Sequence, residues 1–413
     1  MGLSGVQRSL KFAKYLKKYN WEPTILTTGN TAYFAHDQSL MEDVKAADLR
    51  IERVVGSDIN SLLAKKGTMP MPREIIRKAF SDISKLLFIP DNKKGWASKA
   101  YLRAKELLQN EKYDLIYVTI PPFSSFAMAA KLKKEFDLPL FVDYRDLWVG
   151  NQFALMPTPY HKMKHKKLEY FSLKAADKVI AVNRKVKENL LTNYPFLNFD
   201  DITIITHGFD PEDFAKVKPL PKTSNKLIIA YSGIFYEKIS PKYLLKAFKQ
   251  VLIERPDIGE NIELHFIGYF RKENQKLVKK LGLQQHVKVF GYLEHSDALA
   301  HMMTADVLWL MLPNTVNIDK VTVGKLFEYF GTRKPIFGNL PEGASRTAAK
   351  EYGASFLTDP ENIEEIKNAI YHIHQLYKAN NLPVPDEEFI DKHDRSKLTQ
   401  VLAKEFQFYL KEE

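Results

Sequence analysis

Cysteine is absent from the 413-residue chain. That excludes disulfides, cysteine nucleophiles and thiolate metal sites, and it fits a reducing compartment. Apolar runs are short: none approaches the roughly 18 residues that a membrane-spanning helix needs. The start of the chain reads as a loop and a helix, not as a secretory signal peptide, so the expected location is cytoplasmic. No D-x-D triplet occurs, and no His, Asp or Glu cluster has compelling metal-ligand spacing, so neither a metal nor another cofactor is expected. Short internal repeats and low-complexity tracts are lacking as well.

What is present is globular: apolar residues make up 45% and charged residues 27%, which excludes a disordered chain. The length suits two domains, each able to bury a core. A net charge of +11 suits nucleic acid, an anionic lipid surface or a phosphorylated small molecule. Nucleic acid is not expected, because no compact binding motif appears and the basic residues interleave with acids.

Strand and helix patterns alternate along the chain. Helical periodicity runs over Ser4–Tyr19, Arg73–Leu87, Trp96–Leu108, Phe126–Phe136, His161–Ala176 and Lys185–Tyr194. Between these lie apolar strand signals at Pro23–Thr28, Leu49–Val55, Leu115–Thr119, Leu138–Val142, Lys178–Val182 and Ile202–Thr206. A Pro- and Lys-rich stretch without periodicity follows, and the alternation restarts at Leu227. Continuous apolar strands between helices predict doubly wound parallel sheets. The expected fold is α/β: two Rossmann-like domains facing a central cleft, where ligands would bind at the carboxyl ends of the strands. The expected division is residues 1–210 as the first domain, 211–225 as a linker, 226–392 as the second domain, and 393–413 as a closing helix.

Several short motifs fall at expected strand ends. A Gly–Ser–Gly run, Gly2 to Gly5, opens the first helix and offers backbone N–H groups to an anion or a sugar hydroxyl, although Ser4 also reads as an ordinary N-cap. In VTIPPFSSF the prolines stop the strand, and Ser124 and Ser125 read either as a helix cap or as part of a loop facing the cleft. FVDYRDLW places Asp143, Arg145 and Asp146 directly after a buried strand. They read either as an internal ion pair of Arg145 with one acid, or as catalytic groups that orient an acceptor hydroxyl or take its proton. In the second half, Gly233 permits close approach of a ligand and Lys238 is a candidate phosphate contact. The sharper signal is VTVGKLFEYFG. Gly324 opens a helix, Lys325 sits in its first turn, and Glu328 follows on nearly the same face. Helix dipole, free N–H groups and lysine suit a diphosphate, and the glutamate suits the two hydroxyls of a ribose.

GLSGVQRSLKFAKYL, TIPPFSSF, VDYRDLW, AADKVIAVN, HGFD and GKLFEYFGTRKPI occur in the order seen in family 4-like retaining glycosyltransferases of the GT-B class, and the chain resembles that family over nearly its whole length. The resemblance implies an acceptor domain followed by a nucleotide-sugar domain, with the last helix crossing back to the first. It implies that Glu328 is the second acid of the family's E-x7-E motif and touches the ribose. The first acid is replaced by Lys320, and the histidine that some members carry is missing from Thr119–Pro122. It further implies that Lys238 and Lys325 face the diphosphate, and that Gly5 lies near the acceptor and the transferring sugar. The implied reaction moves a hexose-type sugar from a nucleotide donor to a glycan or lipid-linked acceptor in surface polysaccharide or glycolipid synthesis. The donor phosphate itself would assist deprotonation of the acceptor, with no protein nucleophile and no essential metal. Two alternatives share the fold: a nucleotide-sugar epimerase and a non-catalytic nucleotide-sugar binder.

Two further expectations concern surroundings. Lys162, Lys164, Lys166 and Lys167, with Lys65, Lys66, Arg73 and Arg77 near Met69, Met71 and Phe80, point either to a solvated face or to peripheral contact with an anionic membrane. The family places a strand ahead of the glycine loop, and none precedes it here. Met1 is therefore expected to be an internal position, and upstream residues are expected to supply a central strand.

Overall fold

The computed structural model describes residues 4–29, 39–56, 84, 86–151, 156–235 and 238–411. The basic and apolar residues singled out between Lys65 and Phe80 lie outside these, as do Gly2 and most of the helix expected over Arg73–Leu87. The chain divides into two compact units, one comprising residues 1–206 with 396–413 and the other residues 207–395.

The first unit opens with helix α1 (Ser4–Leu16), so Gly5 lies inside a first helical turn. Strand β1 (Thr24–Thr28), helix α2 (Ser39–Ala46) and β2 (Arg50–Val54) follow, and β1 and β2 form a parallel pair. Next come α3 (Lys94–Asn110), β3 (Ile116–Ile120), α4 (Phe123–Phe136), β4 (Leu140–Tyr144), α5 (Pro159–Ala175), β5 (Lys178–Ala181), α6 (Arg184–Asn193) and β6 (Ile202–Ile204). The second sheet has the order β3-β4-β5-β6 and is parallel throughout. Among the described residues no ladder joins β1 to β3.

Period-two alternation sorts the side chains of this sheet between two covered faces. Val142 and Tyr144 of β4 pack with Val118, Val179, Phe126, Leu173 and Leu190, beneath α4, α5 and α6. Phe141, one residue out of phase, packs with Ile180, Phe12 of α1 and Phe406. Phe406 lies on the closing helix, Arg395–Lys411, whose residues from Ser396 onward belong to the first unit. Its ring meets Phe141 edge-on at 4.8 Å and Trp21 at 5.2 Å. Burying such rings and aliphatic side chains is worth about 1.5–3 kcal/mol each, which is what returns the chain to its first unit.

Helix α5 is held by one buried acid. Glu169 accepts hydrogen bonds from the Tyr144 hydroxyl at 3.1 Å, the Tyr194 hydroxyl at 2.7 Å and the Val149 N–H at 3.1 Å. Burial outweighs these bonds and raises its carboxyl to about 7. A folded-state value above the unfolded one means the native protein holds the proton longer. The resulting stability is full below pH ~4.5 and is lost as pH rises through ~7, at no more than about 1.4 kcal/mol per pH unit. Glu169→Gln should flatten the dependence of the melting temperature on pH in that window. An unchanged slope would mean that another group sets it.

The second unit begins with the short helix α7 (Pro211–Ala215), in the stretch read from sequence as a linker without structure. Asp210 caps it by accepting the Glu212 N–H at 3.0 Å. The rest runs β7 (Leu227–Ser232), α8 (Lys242–Glu254), α9 (Pro256–Gly259), β8 (Ile262–Ile267), α10 (Lys272–Leu281), β9 (Val287–Gly291), α11 (His295–Thr304), β10 (Val307–Met311), α12 (Gly324–Thr332), β11 (Ile336–Asn339), α13 (Ala344–Glu351), β12 (Ser355–Thr358), α14 (Ile363–Lys378) and α15 (Glu387–Asp391). Its sheet order, β12-β11-β10-β7-β8-β9, is the doubly wound Rossmann order, with the reversal between β7 and β10. Leu227, Ile229 and Tyr231 pack beneath α8 and α14, while Ile228 and Ala230 pack beneath α11 and α12.

Candidate functional site

In an open α/β sheet, ligands bind outside the carboxyl ends of the strands where the winding reverses. In the second unit that place is the end of β7, opposite the start of α12. Gly233 follows β7 with φ +138°, a region that strongly favours glycine. A Cβ there would lie 1.9 Å from Lys325 Nζ. The lysine of α12 thus reaches across the first turn after β7. Its ammonium donates to the Tyr231 hydroxyl at 2.8 Å and sits 4.5 Å from the centre of that ring.

Three features place α12 where it is. The Tyr329 hydroxyl accepts the Ser232 N–H at 3.1 Å and donates to the Trp309 carbonyl at 3.1 Å, so one buried side chain fastens the helix to both β7 and β10. Ser345 of α13 props the entry turn, accepting the Val323 N–H at 3.2 Å and donating to the Val321 carbonyl at 2.8 Å. Phe327 and Phe330 fill the core below. No side chain caps the helix at Val323. Its amino end therefore presents the positive pole of the dipole beside a lysine, an arrangement that receives phosphate oxygens.

Glu328, one turn further on, is half-buried, and His295 Nε2 at the head of α11 stands 3.4 Å from its Oε1. His295 was not singled out from the sequence, because a lone histidine opening a helix carries no signal until the fold sets α11 beside α12. At that distance a protonated His295 would pair with the glutamate. His295→Ala is expected to weaken binding at this site about three- to tenfold with little change in melting temperature, and His295→Gln should restore part of it. Equal affinity in calorimetry for His295→Ala and the parent would remove that role.

The donor residues named from the sequence do not all converge. Gly233, Gly324, Lys325 and Glu328 fall on this one turn-and-helix arrangement. Lys238 is exposed, and no hydrogen bond or ion pair joins it to these residues. Lys320 lies in a short turn and donates to Asn317 Oδ1 at 3.0 Å.

In the first unit the catalytic expectation for Asp143 is corrected. The sequence offered Arg145 as the ion-pair partner, but the partner is Arg8, 135 residues away on α1. Period two turns Asp143 to the same face as Phe141, beneath α1. There Arg8 donates to it twice, at 2.9 and 2.8 Å, and Thr119 Oγ1 adds a bond at 3.2 Å. Arg8 also donates to the carbonyls of Thr206 and Ile205, at 2.6 and 2.9 Å. Both members of the pair are fully buried. Burial opposes ionisation of Asp143, yet the Arg8 charge prevails and holds the carboxyl below its ordinary value. A sealed, doubly paired carboxylate has no face open to an acceptor hydroxyl.

Ser124 is likewise occupied. Its hydroxyl donates to Asp91 Oδ1 at 2.8 Å and its N–H to Oδ2 at 3.0 Å. Asp91, not a serine, therefore serves as the acid at the amino end of α4, which begins at Phe123. Arg145 remains next to α1: a Cβ on Gly5 would fall 1.8 Å from its Nη1, and Nη2 donates to the Pro121 carbonyl. Burial lowers its pKa. Asp146 is half-buried, its carboxyl is raised by burial against the pull of Arg145, and no described residue donates a hydrogen bond to it. Of the two acids in that triplet, Asp143 is sealed in the ion pair with Arg8 and Asp146 is half-buried.

Two Rossmann-like parallel-sheet units in one chain are the domains of the GT-B class, and comparison with known proteins agrees. The sequence profile for Glycosyltransferase Family 4 matches residues 4–213, and that for glycosyl transferases group 1 matches residues 212–381. The chain belongs to glycosyltransferase family 4. No curated protein matches it in sequence. Among solved structures it is similar to HepE of Anabaena in complex with UDP, at 15% identity and a TM-score of 0.61, covering 98% of this chain and 96% of that one. It is similar to sucrose-phosphate synthase of Thermosynechococcus elongatus, at 14% identity and a TM-score of 0.66, covering 98% and 92%. A UDP-N-acetylglucosamine 2-epimerase matches at 15% identity and a TM-score of 0.57, covering 98% and 94%. At such identities these likenesses establish the fold alone. Among the described residues no helix is long and apolar enough to cross a membrane.

Proposed function

We propose that the protein is a retaining glycosyltransferase that moves a hexose-type sugar from a nucleoside-diphosphate sugar to a glycan or lipid-linked acceptor, in the synthesis of surface polysaccharide or glycolipid. The observation that carries the reading is the Gly233–Lys325–Glu328 arrangement at the reversal point of the second sheet. Lys325 and the amino end of α12 take the diphosphate, and Glu328 takes the ribose hydroxyls. The solved complex of HepE with UDP, and another with UDP-glucose, support a nucleotide of this kind.

The protein's contribution is then electrostatic. Donors fixed before the reaction stabilise the charge that develops on the leaving diphosphate, at no cost in reorganisation. No protein nucleophile is required: the acceptor hydroxyl attacks on the face that the diphosphate leaves, and a diphosphate oxygen takes its proton. In this reading Asp146 orients that hydroxyl, and no essential metal takes part. Incubating the protein with a panel of nucleotide sugars and candidate acceptors, and reading the product by NMR, tests this. Transfer with the donor's anomeric configuration kept is the expected result. Donor converted to its C2 epimer without acceptor would establish the epimerase reading instead, and donor bound but unchanged with every acceptor would establish a binding protein.

A further inference from the structure

Helix α5 buries one face and leaves the other unlike an ordinary solvated surface. His161, His165, Glu169, Ser172 and Leu173 point inward. Facing outward are Tyr160, Met163, Tyr170 and Phe171, all exposed, with Tyr160, Met163 and Phe171 more than half so. Lys162, Lys166, Lys167 and Lys174 are exposed among them, and Lys164 is half-buried. The sole acid of the helix, Glu169, is fully buried against Tyr144 and Tyr194. The outer face therefore carries lysines with no compensating carboxylate of its own. Lysines and rings are also paired directly: Lys164 lies 5.4 Å from the Tyr160 ring and Lys167 lies 5.9 Å from that of Phe171.

A second apolar element adjoins this helix. His161 Nε2 meets the Leu86 carbonyl at 3.1 Å, which ties the start of α5 to the run Leu86, Leu87 and Phe88. All three are exposed, Leu87 by 71%. Scattered exposed apolar residues are unremarkable on a soluble protein, but aliphatic and aromatic side chains gathered on one basic helix and its neighbouring loop are not.

We infer that the outer face of α5, with Leu86–Phe88 beside its start, docks on an anionic lipid bilayer. Lysine charge meets lipid headgroups, while Met163, Phe171 and Leu87 enter the boundary between headgroup and acyl chain, as on helices that lie in the membrane plane. Charge complementarity chooses an anionic partner. The aliphatic members, which offer no stacking surface for bases, choose lipid over nucleic acid. The inference stands apart from the transferase reading, since none of these residues belongs to the nucleotide site.

Flotation of the full-length protein with vesicles of phosphatidylcholine, alone or mixed with phosphatidylglycerol, tests it. Recovery on the mixed vesicles is expected to be about tenfold greater. The charge variant K164E/K167E should fall to the level on neutral vesicles, and the apolar variant M163S/F171S should lose most binding to the mixed ones. Both variants should keep the parent's melting temperature and its affinity for uridine diphosphate, because the altered side chains lie on an outer surface. Equal recovery on both vesicle types, or full binding by both variants, would overturn the proposal. So would displacement by duplex DNA at low stoichiometry, or a dimer in sedimentation that M163S/F171S abolishes, since the face would then serve another partner. Absence of vesicle binding by the parent protein, with its nucleotide affinity intact, removes this inference and leaves the transferase reading standing.

Discussion

Asp143→Ala is expected to destabilise the first unit by about 3–5 kcal/mol, because it leaves the Arg8 guanidinium buried without its counter-charge. The cause is desolvation, not merely a lost attraction. Arg8 and Asp143 are fully buried, and Arg8 also binds the carbonyls of Ile205 and Thr206 just beyond β6. Removing one ion strands the other where water cannot reach it. Replacing both together, as Arg8→Met with Asp143→Leu, should recover much of that loss, since no isolated charge then remains. Denaturant unfolding checks both statements. It also separates the structural role from the catalytic one: a catalytic Asp143 would lose activity on replacement by asparagine while the unfolding midpoint held.

The second large effect concerns the donor. Lys325→Ala and Glu328→Ala are each expected to weaken nucleotide-sugar binding by about 1.5–3 kcal/mol, roughly ten- to more than a hundredfold in Kd, the scale of one hydrogen bond to a charged group. The fold should be unaffected. Lys325 projects over the turn at Gly233, Glu328 is half-buried, and the core side of α12 is held by Leu326, Phe327, Tyr329 and Phe330. Calorimetry at matched ionic strength measures the change. The lysine variant should lose more affinity for nucleoside diphosphates than for nucleosides, and the glutamate variant should lose affinity for both. Parent-like affinity in both variants would place the donor elsewhere.

These two sites also show how far the sequence could be read. The α/β class was legible because buried parallel strands are continuous apolar runs, and LIYVT and LPLFV announce themselves. The Gly–Lys–x–x–Glu turn was legible because its residues are neighbours along one helix. Arg8 was not. It sits in an ordinary amphipathic pattern, and only the assembled sheet brings Asp143 beneath it. Asp91 and His295 escaped for the same reason, since each acts on a residue 33 positions away. The polar serines of β12 and α13, and the short helix α15, left weak signals because tertiary contacts hold them more than local pattern does. The Asp143–Arg145–Asp146 triplet misled in the opposite way: adjacency in sequence implied a shared site, while strand alternation sends Asp143 into the core.

The central claim is that the end of β7 and the start of α12 form the nucleotide site, and hydrogen exchange tests it most directly. The full-length protein would be followed by mass spectrometry with and without saturating uridine, guanosine or adenosine diphosphate, whichever raises the melting temperature most. A ligand at 100 times its Kd should add about 2.7 kcal/mol, enough to select it. The account predicts slowed exchange in peptides covering Tyr231–Phe235 and Thr322–Glu328, lost in Lys325→Ala at the same nucleotide concentration. Protection confined to other segments, with both of these unchanged, would contradict it.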